Sequence, residues 1–191
     1  MQSKIIEILS NTDPIQRIET NKDKYFSFID RYMVGCEHKN FHCEGDVWEH
    51  TKLVIQNMVM QEHDWIDVLA ALLHDVGKKE ALTRNSGKNM HVHEIYSEQI
   101  ASEWLTDMEF DTQIRETILW LIKNHTLALE LKVMKKRGRI HELVHHPLFG
   151  RLTRLARADC FGTLDKNGNP RDDFNDILKR PIVAEIILQG E

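Results

Sequence analysis

The segment AALLHDVGKKE, residues 70–80, ends an apolar run with a histidine and an aspartate, followed by a glycine and three charged residues. With the residues before it, the pattern places Val68, Leu72 and Asp75 on one face of an amphipathic helix. Glycine commonly ends a helix, so we expect His74 and Asp75 in the last turn of a core-facing helix. A carboxylate buried there needs a partner, a proton or a metal ion.

The composition sets limits on the kind of protein. A length of 191 residues fits one domain over residues 1–191. Hydrophobic residues make up 41% of the chain and charged residues 29%, a balance that argues against extensive disorder. The formal net charge of -5 gives no general electrostatic reason to bind nucleic acid, so any preference for phosphate has to come from a local site.

The cysteines and the apolar runs bear on the cellular compartment. Three cysteines without a CxxC spacing indicate neither a disulfide framework nor a thiolate zinc site. No stretch approaches the roughly 18 apolar residues of a membrane helix, and the first ten residues are too short and too acidic for a secretory signal. We therefore expect a cytoplasmic protein without a membrane partner.

Helical periodicity dominates the chain. Apolar residues recur at helical spacing almost everywhere, and the sequence contains no convincing period-two run bounded by turn residues. This predicts an all-α fold, a compact multi-helix bundle with N-terminal packing helices and a C-terminal helical tail. Asp46 can cap a helix with Glu49 three residues later, which puts His50 in the first turns. The polar stretch 83–89 predicts a turn-rich loop.

Three further helices carry a histidine or aspartate at an end or on a core-facing side. One helix opens near His93. A second, within residues 111–125, ends its apolar stripe in His125. A third, which Pro147 opens, places Asp159 on the face of its leucines. A carboxylate thus stands where a hydrophobic residue is expected.

A divalent metal ion would satisfy these positions together. Mixed imidazole and carboxylate ligands suit Mn, Fe, Ni, Zn or Mg, and the lack of thiolates argues against a purely structural zinc site. A single histidine on an apolar face is more often a hydrogen-bonded structural residue than a ligand. We assign to that class His38, His42, His63 and His146.

Five stretches occur in the order and approximate spacing found in HD-domain phosphohydrolases. They are EGDVWEHT (44–51), AALLHDVGK (70–78), HVHEIYSEQIA (91–101), IKNH (122–125) and LARADCFG (155–162). The chain resembles this family over about residues 12–163. Its motifs are most similar in sequence to the HD region of bacterial tRNA nucleotidyltransferases. It lacks the Gly-Ser and paired-Asp signature of the transferase catalytic domain, so nucleotide addition is not implied.

The resemblance implies an all-helical fold and one or two divalent metal ions. The motif residues that would hold the first ion are His50, His74, Asp75 and Asp159. In members with two ions, Asp75 would bridge them, and His93 and His125 would complete the second site. HVHE has Val92 where the family often has glycine, which leaves open whether His91 or His93 belongs to the site.

The implied reaction is attack of water on phosphorus, with the ion lowering the pKa of bound water and polarising a phosphoryl oxygen. Asp75 would ligate the ion and orient the nucleophile. Lys78 would neutralise charge on the phosphate, or else is a solvated lysine at a helix C-terminus. His93 or His125 could protonate the leaving oxygen if it holds no metal.

The expected substrate is a small phosphoester, a nucleotide or an RNA end, cleaved by a phosphatase or phosphodiesterase. The basic segment 132–139, with Arg151, Arg154 and Arg157, could contact phosphates, or it could be a solvated face. A non-catalytic module that binds metal and a nucleotide is the main alternative. The sequence does not indicate an oligomeric state.

A second metal motif competes with this interpretation. HELVH, residues 141–145, matches the HExxH pattern of metallopeptidases, in which Glu142 would be the base. Gly138 and Pro147 leave it only about two helical turns, and no clear third ligand follows. We therefore expect a surface or partly buried helix there.

Overall fold

The computed structural model describes residues 1–37, 43–61 and 64–189. Within these ranges the chain is helical, and the only extended pairings are two isolated bridges. The predicted all-α multi-helix bundle is therefore confirmed. The helices are α1 (Gln2–Leu9), α2 (Pro14–Thr20), α3 (Lys22–Tyr25), α4 (Phe28–Tyr32), α5 (Val47–Met60), α6 (Trp65–Leu73), α7 (Lys78–Arg84), α8 (His93–Asp107), α9 (Thr112–Glu130), α10 (Arg137–Val144), α11 (Phe149–Gly162), α12 (Phe174–Leu178) and α13 (Pro181–Leu188).

Helix α6 lies at the centre of the bundle. Residues 67–73 are all buried, as expected for a helix that is apolar on every side. It packs against α5, α9 and α11, and α11 also packs against α5 and α9. Helix α8 covers α9, and α7 packs on α8. Helices α5, α6, α9 and α11 thus form the packed centre of the bundle.

The end of α6 differs from the sequence prediction. The helix ends at Leu73, so His74 is its C-cap and Asp75 lies in the turn that leads into α7. This turn brings Gly77 against α8, where its N–H donates to Ser97 Oγ at 2.9 Å. A Cβ on Gly77 would lie 2.2 Å from Ser97 N and 2.5 Å from the His93 carbonyl oxygen. Only glycine allows this approach, which fixes the start of α8 beside Asp75.

The helix starts follow the expected chemistry. Asp46 caps α5, where its side chain accepts a hydrogen bond from Glu49 N at 2.9 Å. The Glu49 carboxylate instead pairs with Lys52 at 2.7 Å. The predicted loop around Gly87 is confirmed only from Asn85 onwards, because α7 extends to Arg84.

The terminal helices share the main core. Ile5 near one end of the chain and Phe174, Val183 and Ile186 near the other belong to the same hydrophobic cluster. Arg180, before α13, donates to the carbonyl oxygens of Leu131 and Met134 at 2.7 Å and 2.5 Å. The C-terminal tail is thereby attached to the chain just after α9. A single domain over residues 1–191 remains a prediction.

Three further expectations concern single residues and membrane insertion. Cys36, Cys43 and Cys160 are free thiols, as predicted. None of the helices in the described ranges is both long enough and apolar enough to cross a bilayer. Of the four histidines expected to be structural, three lie outside the described residues: His38, His42 and His63.

Candidate metal centre

Six side chains from five segments meet at the centre of the bundle. His50 comes from the first turn of α5, and His74 and Asp75 come from the turn after α6. Helix α8 contributes its first residue, His93, while His125 and Asp159 come from the last thirds of α9 and α11. All are buried except His93, which is partly exposed. The ligand residues predicted from the sequence therefore lie together.

The first group of possible ligands consists of His50, His74 and Asp159. Their ligand atoms all lie within 4.8 Å of one another. Asp159 Oδ1 is 3.0 Å from His50 Nε2 and 3.9 Å from His74 Nε2. All three residues are buried, so an ion among them would be shielded from bulk water.

The second group consists of Asp75, His93 and His125, whose ligand atoms also lie within 4.8 Å of one another. Asp75 Oδ1 is 3.0 Å from His93 Nε2 and 3.7 Å from His125 Nε2. The two imidazole Nε2 atoms are 3.1 Å apart. The structure therefore places His93 in the cluster, whereas His91 is exposed.

Asp75 stands between the two groups. Its Oδ1 faces the second group, and its Oδ2 lies 3.1 Å from His74 Nε2 and 3.6 Å from His50 Nε2. One carboxylate oxygen is thus available to each group, which is the arrangement of a bridging ligand.

All four site histidines direct the same ring nitrogen inward. A carbonyl oxygen can only accept a hydrogen bond, so an Nδ1 that faces one carries a proton and leaves the Nε2 lone pair free to bind a cation. Three of the four rings use the carbonyl three residues earlier. The Nδ1 contacts are His74 to Ala71 O at 2.7 Å, His93 to Met90 O at 3.0 Å, His125 to Ile122 O at 2.6 Å and His50 to Gly162 O at 3.2 Å.

One buried polar atom in this centre, His74 Nε2, lacks an aligned hydrogen bond among the described residues. It faces Asp75 Oδ2 at 3.1 Å, an oxygen that is already ion-paired with Lys78. Leaving a buried polar atom without a hydrogen bond is costly, and a cation would satisfy it. The donor set of imidazole nitrogen and carboxylate oxygen fits a divalent ion such as Mn, Fe, Ni, Zn or Mg. The groups are positioned to hold one.

The charges of the site influence one another strongly. Burial lowers the pKa of His50, but hydrogen bonds to Asp159 and Glu44 outweigh it and raise the pKa to about 9. Burial also opposes ionisation of Asp75, yet the neighbouring His74 and Lys78 charges hold its pKa well below the usual value. For His125, burial prevails over the hydrogen bond to Asp75 and lowers the pKa. Without an ion, His50 is therefore protonated more readily than His125.

Lys78 is part of this centre. It is the first residue of α7 and is buried, with Nζ 2.5 Å from Asp75 Oδ2. The alternative of a solvated lysine at a helix C-terminus is therefore wrong. A cation at a helix N-terminus opposes the helix dipole, and the ion pair with Asp75 offsets that cost.

Val92 precedes His93 in a left-handed conformation, with φ of 60°. This is rare for a β-branched residue and costs about 1–3 kcal/mol. Its side chain is 47% exposed, so packing of this side chain offsets little of the conformational cost. The strained residue lies where the backbone turns to aim His93 at Asp75.

Glu44 was missed by the sequence reasoning. Its side chain is fully buried, and Oε1 lies 3.0 Å from His50 Nδ1. No local pattern marks it, because an isolated glutamate before a capping aspartate resembles any loop residue.

The arginines of α11 are largely committed to structure. Arg151 pairs with Asp64 and Asp67, both at 2.7 Å, and Arg154 pairs with Asp67 at 2.9 Å. Asp67 is buried, so these ion pairs compensate its charge. Arg157 is exposed and lies over the Phe161 ring. Of the three, only Arg157 remains free of an ion pair within the described ranges.

The HExxH stretch forms a surface turn of α10. His141, Glu142 and His145 are exposed, and their neighbourhood in the described chain supplies no third ligand. His146, expected to be a structural residue, stacks on Trp120 at a centroid distance of 3.8 Å and accepts a hydrogen bond from Leu148 N at 3.2 Å. The expected surface or partly buried helix is confirmed.

A model of the HD domain family matches residues 47–161, more than half of the chain. The chain belongs to the HD domain family. The matched range contains all six clustered residues and Lys78, and it starts three residues after Glu44. Membership in this family suggests the superfamily of metal-dependent phosphohydrolases. No curated protein matches the sequence.

Proposed function

We propose that this HD-domain protein is a metal-dependent phosphohydrolase that cleaves a phosphomonoester or phosphodiester of a nucleotide or an RNA end. The observation that carries the proposal is the pair of three-ligand groups, with one oxygen of Asp75 directed to each. Nε2 points inward on all four histidines, so both groups present nitrogen ligands to a cation once Nε2 of His50 has lost its proton.

The chemistry follows from this placement. A divalent ion bound there would polarise the phosphoryl group and lower the pKa of the attacking water. Asp75 would hold the ion and orient the nucleophile from its position between the groups. The buried side chains around it exclude bulk water, which strengthens every electrostatic contact inside the site.

Lys78 and His93 supply the remaining roles. The ammonium group of Lys78 lies beside Asp75, where it can stabilise negative charge that develops on the transferred phosphoryl group. His93 is partly exposed, so it can meet the leaving oxygen. When it holds no ion and its ring is doubly protonated, its Nε2 would donate a proton to that oxygen.

An extended, polyanionic substrate is supported by the basic segment 132–139. Lys135, Lys136 and Arg139 have no ion pair within the described ranges, and they line a cleft of about 310 Å³. The segment follows α9, whose last residue, Glu130, lies roughly 7.5 Å along the helix axis from His125. A chain of phosphates leaving the site could therefore reach these cations.

An RNA end fits this arrangement better than a mononucleotide. No aromatic side chain lines the cleft, so it would contact phosphates and leave bases unread. The resemblance to the HD region of tRNA nucleotidyltransferases supports the same substrate class.

We also propose one domain over residues 1–191 in a reducing compartment, the cytoplasm. The shared core of terminal and central helices supports the first statement. The free thiols support the second.

The proposal is tested with protein stripped of metal and then supplied with Mn, Ni, Zn or Mg. Phosphomonoesters, cyclic nucleotides, diesters and RNA oligonucleotides are assayed for release of phosphate or of a new RNA end. We expect Asp75→Ala, and the isosteric Asp75→Asn, to lose metal and turnover together, because both groups lose a ligand.

Glu142→Gln is the matched control, since Glu142 is exposed on α10 and belongs to the HExxH stretch. Full phosphohydrolase activity is expected in this variant. A peptidase activity that the unaltered protein shows and that Glu142→Gln abolishes would point to a peptidase instead. Unchanged metal content in both Asp75 variants would contradict the proposal. Bound metal without turnover of any substrate would favour a non-catalytic regulatory module.

A further inference from the structure

We infer that Glu44 is a positioning residue for the first ligand group, setting the orientation and the metal affinity of His50. The inference rests on the proposed function, because it concerns the same metal centre. It assigns a role to a residue that lies outside the range matched by the family model.

The first observation is that Glu44 is held at both carboxylate oxygens. Oε1 lies 3.0 Å from His50 Nδ1, and Oε2 accepts a hydrogen bond from Leu164 N at 3.0 Å. The preceding residue is tied to the same place, since Cys43 N donates to Leu164 O at 3.1 Å. Both Glu44 and His50 side chains are fully buried. The carboxylate therefore has a fixed position from which to orient the imidazole.

The second observation is that His50 is oriented differently from the other site histidines. Those three donate from Nδ1 to a carbonyl of their own helix or turn, three residues earlier. His50 reaches across to other elements, to Gly162 O and to the Glu44 carboxylate. In the described chain, it is the one site histidine whose Nδ1 lies within 3.5 Å of a carboxylate oxygen.

A carboxylate acceptor has a specific effect. Hydrogen bonds to an ionised acceptor are about twice as strong as those to a neutral one. Such a bond fixes the ring and makes the opposite nitrogen more electron-rich, which strengthens its bond to a metal ion. Glu44 would thus increase the electron density on Nε2 of His50, the atom that faces Asp159 Oδ1 at 3.0 Å.

The third observation is the location of the residue between two site-bearing elements. Glu44 lies just before α5, which carries His50, and it is bonded to Leu164, just after α11, which carries Asp159. It therefore also fixes how closely those two ligands approach. The second group has no comparable link to this segment among the described contacts.

The test uses Glu44→Gln, which keeps the shape and removes the charge. Affinities for Zn and Mn are measured by chelator competition and calorimetry on metal-stripped protein. We expect the first-group affinity to fall about 10- to 100-fold, the usual effect of losing such a partner, with the second-group affinity unchanged. Glu49→Gln is the matched control, because Glu49 is an exposed glutamate in the helix turn that carries His50. This variant should bind metal as the unaltered protein does.

A second readout does not depend on metal. The His50 Nδ1 proton should give a strongly downfield, slowly exchanging NMR signal in the metal-free protein and in Glu49→Gln. In Glu44→Gln we expect it to move upfield and exchange faster. Even if the unaltered protein binds no divalent ion, so that the proposed function fails, this signal still tests whether Glu44 positions His50. Unchanged affinity together with an unchanged His50 signal in Glu44→Gln would overturn the inference.

Discussion

The protonation state of His50 bears on the stability of the metal-free protein. It is fully buried between two carboxylates, Glu44 and Asp159, and its pKa is raised to about 9. A metal ion bound to Nε2 would have to displace the proton on that atom. The same ring therefore stabilises the fold as a cation and would serve the proposed site as a neutral ligand.

The metal-free protein should lose stability as the pH rises from about 6.5 to about 9. A group whose pKa is raised on folding contributes fully below its unfolded pKa and loses that contribution as the pH rises through the folded value. The shift of His50 corresponds to on the order of 3 kcal/mol. The lowered pKa of His125 acts oppositely and removes stability as the pH falls below about 6.5.

Urea denaturation in the presence of a chelator measures this profile. From these two histidines, we expect a maximum near pH 6.5 and a decline towards pH 9 that His50→Gln abolishes. A flat profile between pH 6.5 and 9 in the unaltered protein would contradict the assigned ion pairs.

The sequence predicted the clustered residues for a physical reason, which also explains why Glu44 was missed. A carboxylate such as Asp159 on an apolar helix face conflicts with the local pattern, and that conflict is visible in one dimension. Glu44 conflicts with nothing nearby, since only the three-dimensional fold brings it to His50 and Leu164. Residues that orient ligands through long-range contacts leave no periodic signal.

At the level of helices, the start of α8 combines a close approach with strain. Gly77 touches the backbone of α8, and Val92 adopts a left-handed conformation one residue before His93. Caps such as Asp46 could be predicted because their partners lie within a few residues. The turn after α6 could not, because its path is decided by packing against α8.

Replacing Val92 by glycine should stabilise the protein. Glycine adopts positive φ without steric cost, and the exposed valine loses little packing. We expect a gain of about 1 kcal/mol in the free energy of unfolding, measured by urea denaturation of the metal-free protein. Val133→Gly is the control, because Val133 is also exposed but has an ordinary φ. If Val92→Gly is as destabilising as the control, the strain at α8 is not significant.

At the scale of the whole molecule, the basic cleft of segment 132–139 lies apart from the metal centre, and we propose that the two bind different parts of the substrate. The net charge is -5, yet Lys135, Lys136 and Arg139, which have no ion pair within the described ranges, line one cleft together with a single acidic residue, Glu130. The tail fixes this segment through Arg180, which bonds to two of its neighbouring carbonyl oxygens. The all-helical class could be predicted from periodicity, but this attachment of the tail could not, because it depends on contacts between distant parts of the sequence.

Reversing the charge of the cleft should affect long substrates selectively. For Lys135→Glu/Arg139→Glu we expect KM for an RNA oligonucleotide to rise at least about tenfold, and its salt dependence to weaken, because two phosphate contacts are lost. Turnover of a small phosphoester should not change. Arg17→Glu/Lys24→Glu, on the N-terminal helices, is the control. Equal effects on both substrates, or none on the oligonucleotide, would show that the cleft does not bind RNA.

The shared carboxylate of Asp75 makes the two ligand groups interdependent. The first cation to arrive would fix the side-chain torsions of Asp75 and repel the ammonium group of Lys78 that lies beside it. The next cation would then meet a pre-set oxygen but also the repulsion of an existing dication. The two cations should consequently bind one after the other. A metal titration should then give two distinct dissociation constants, whereas two independent and equivalent sites would give one.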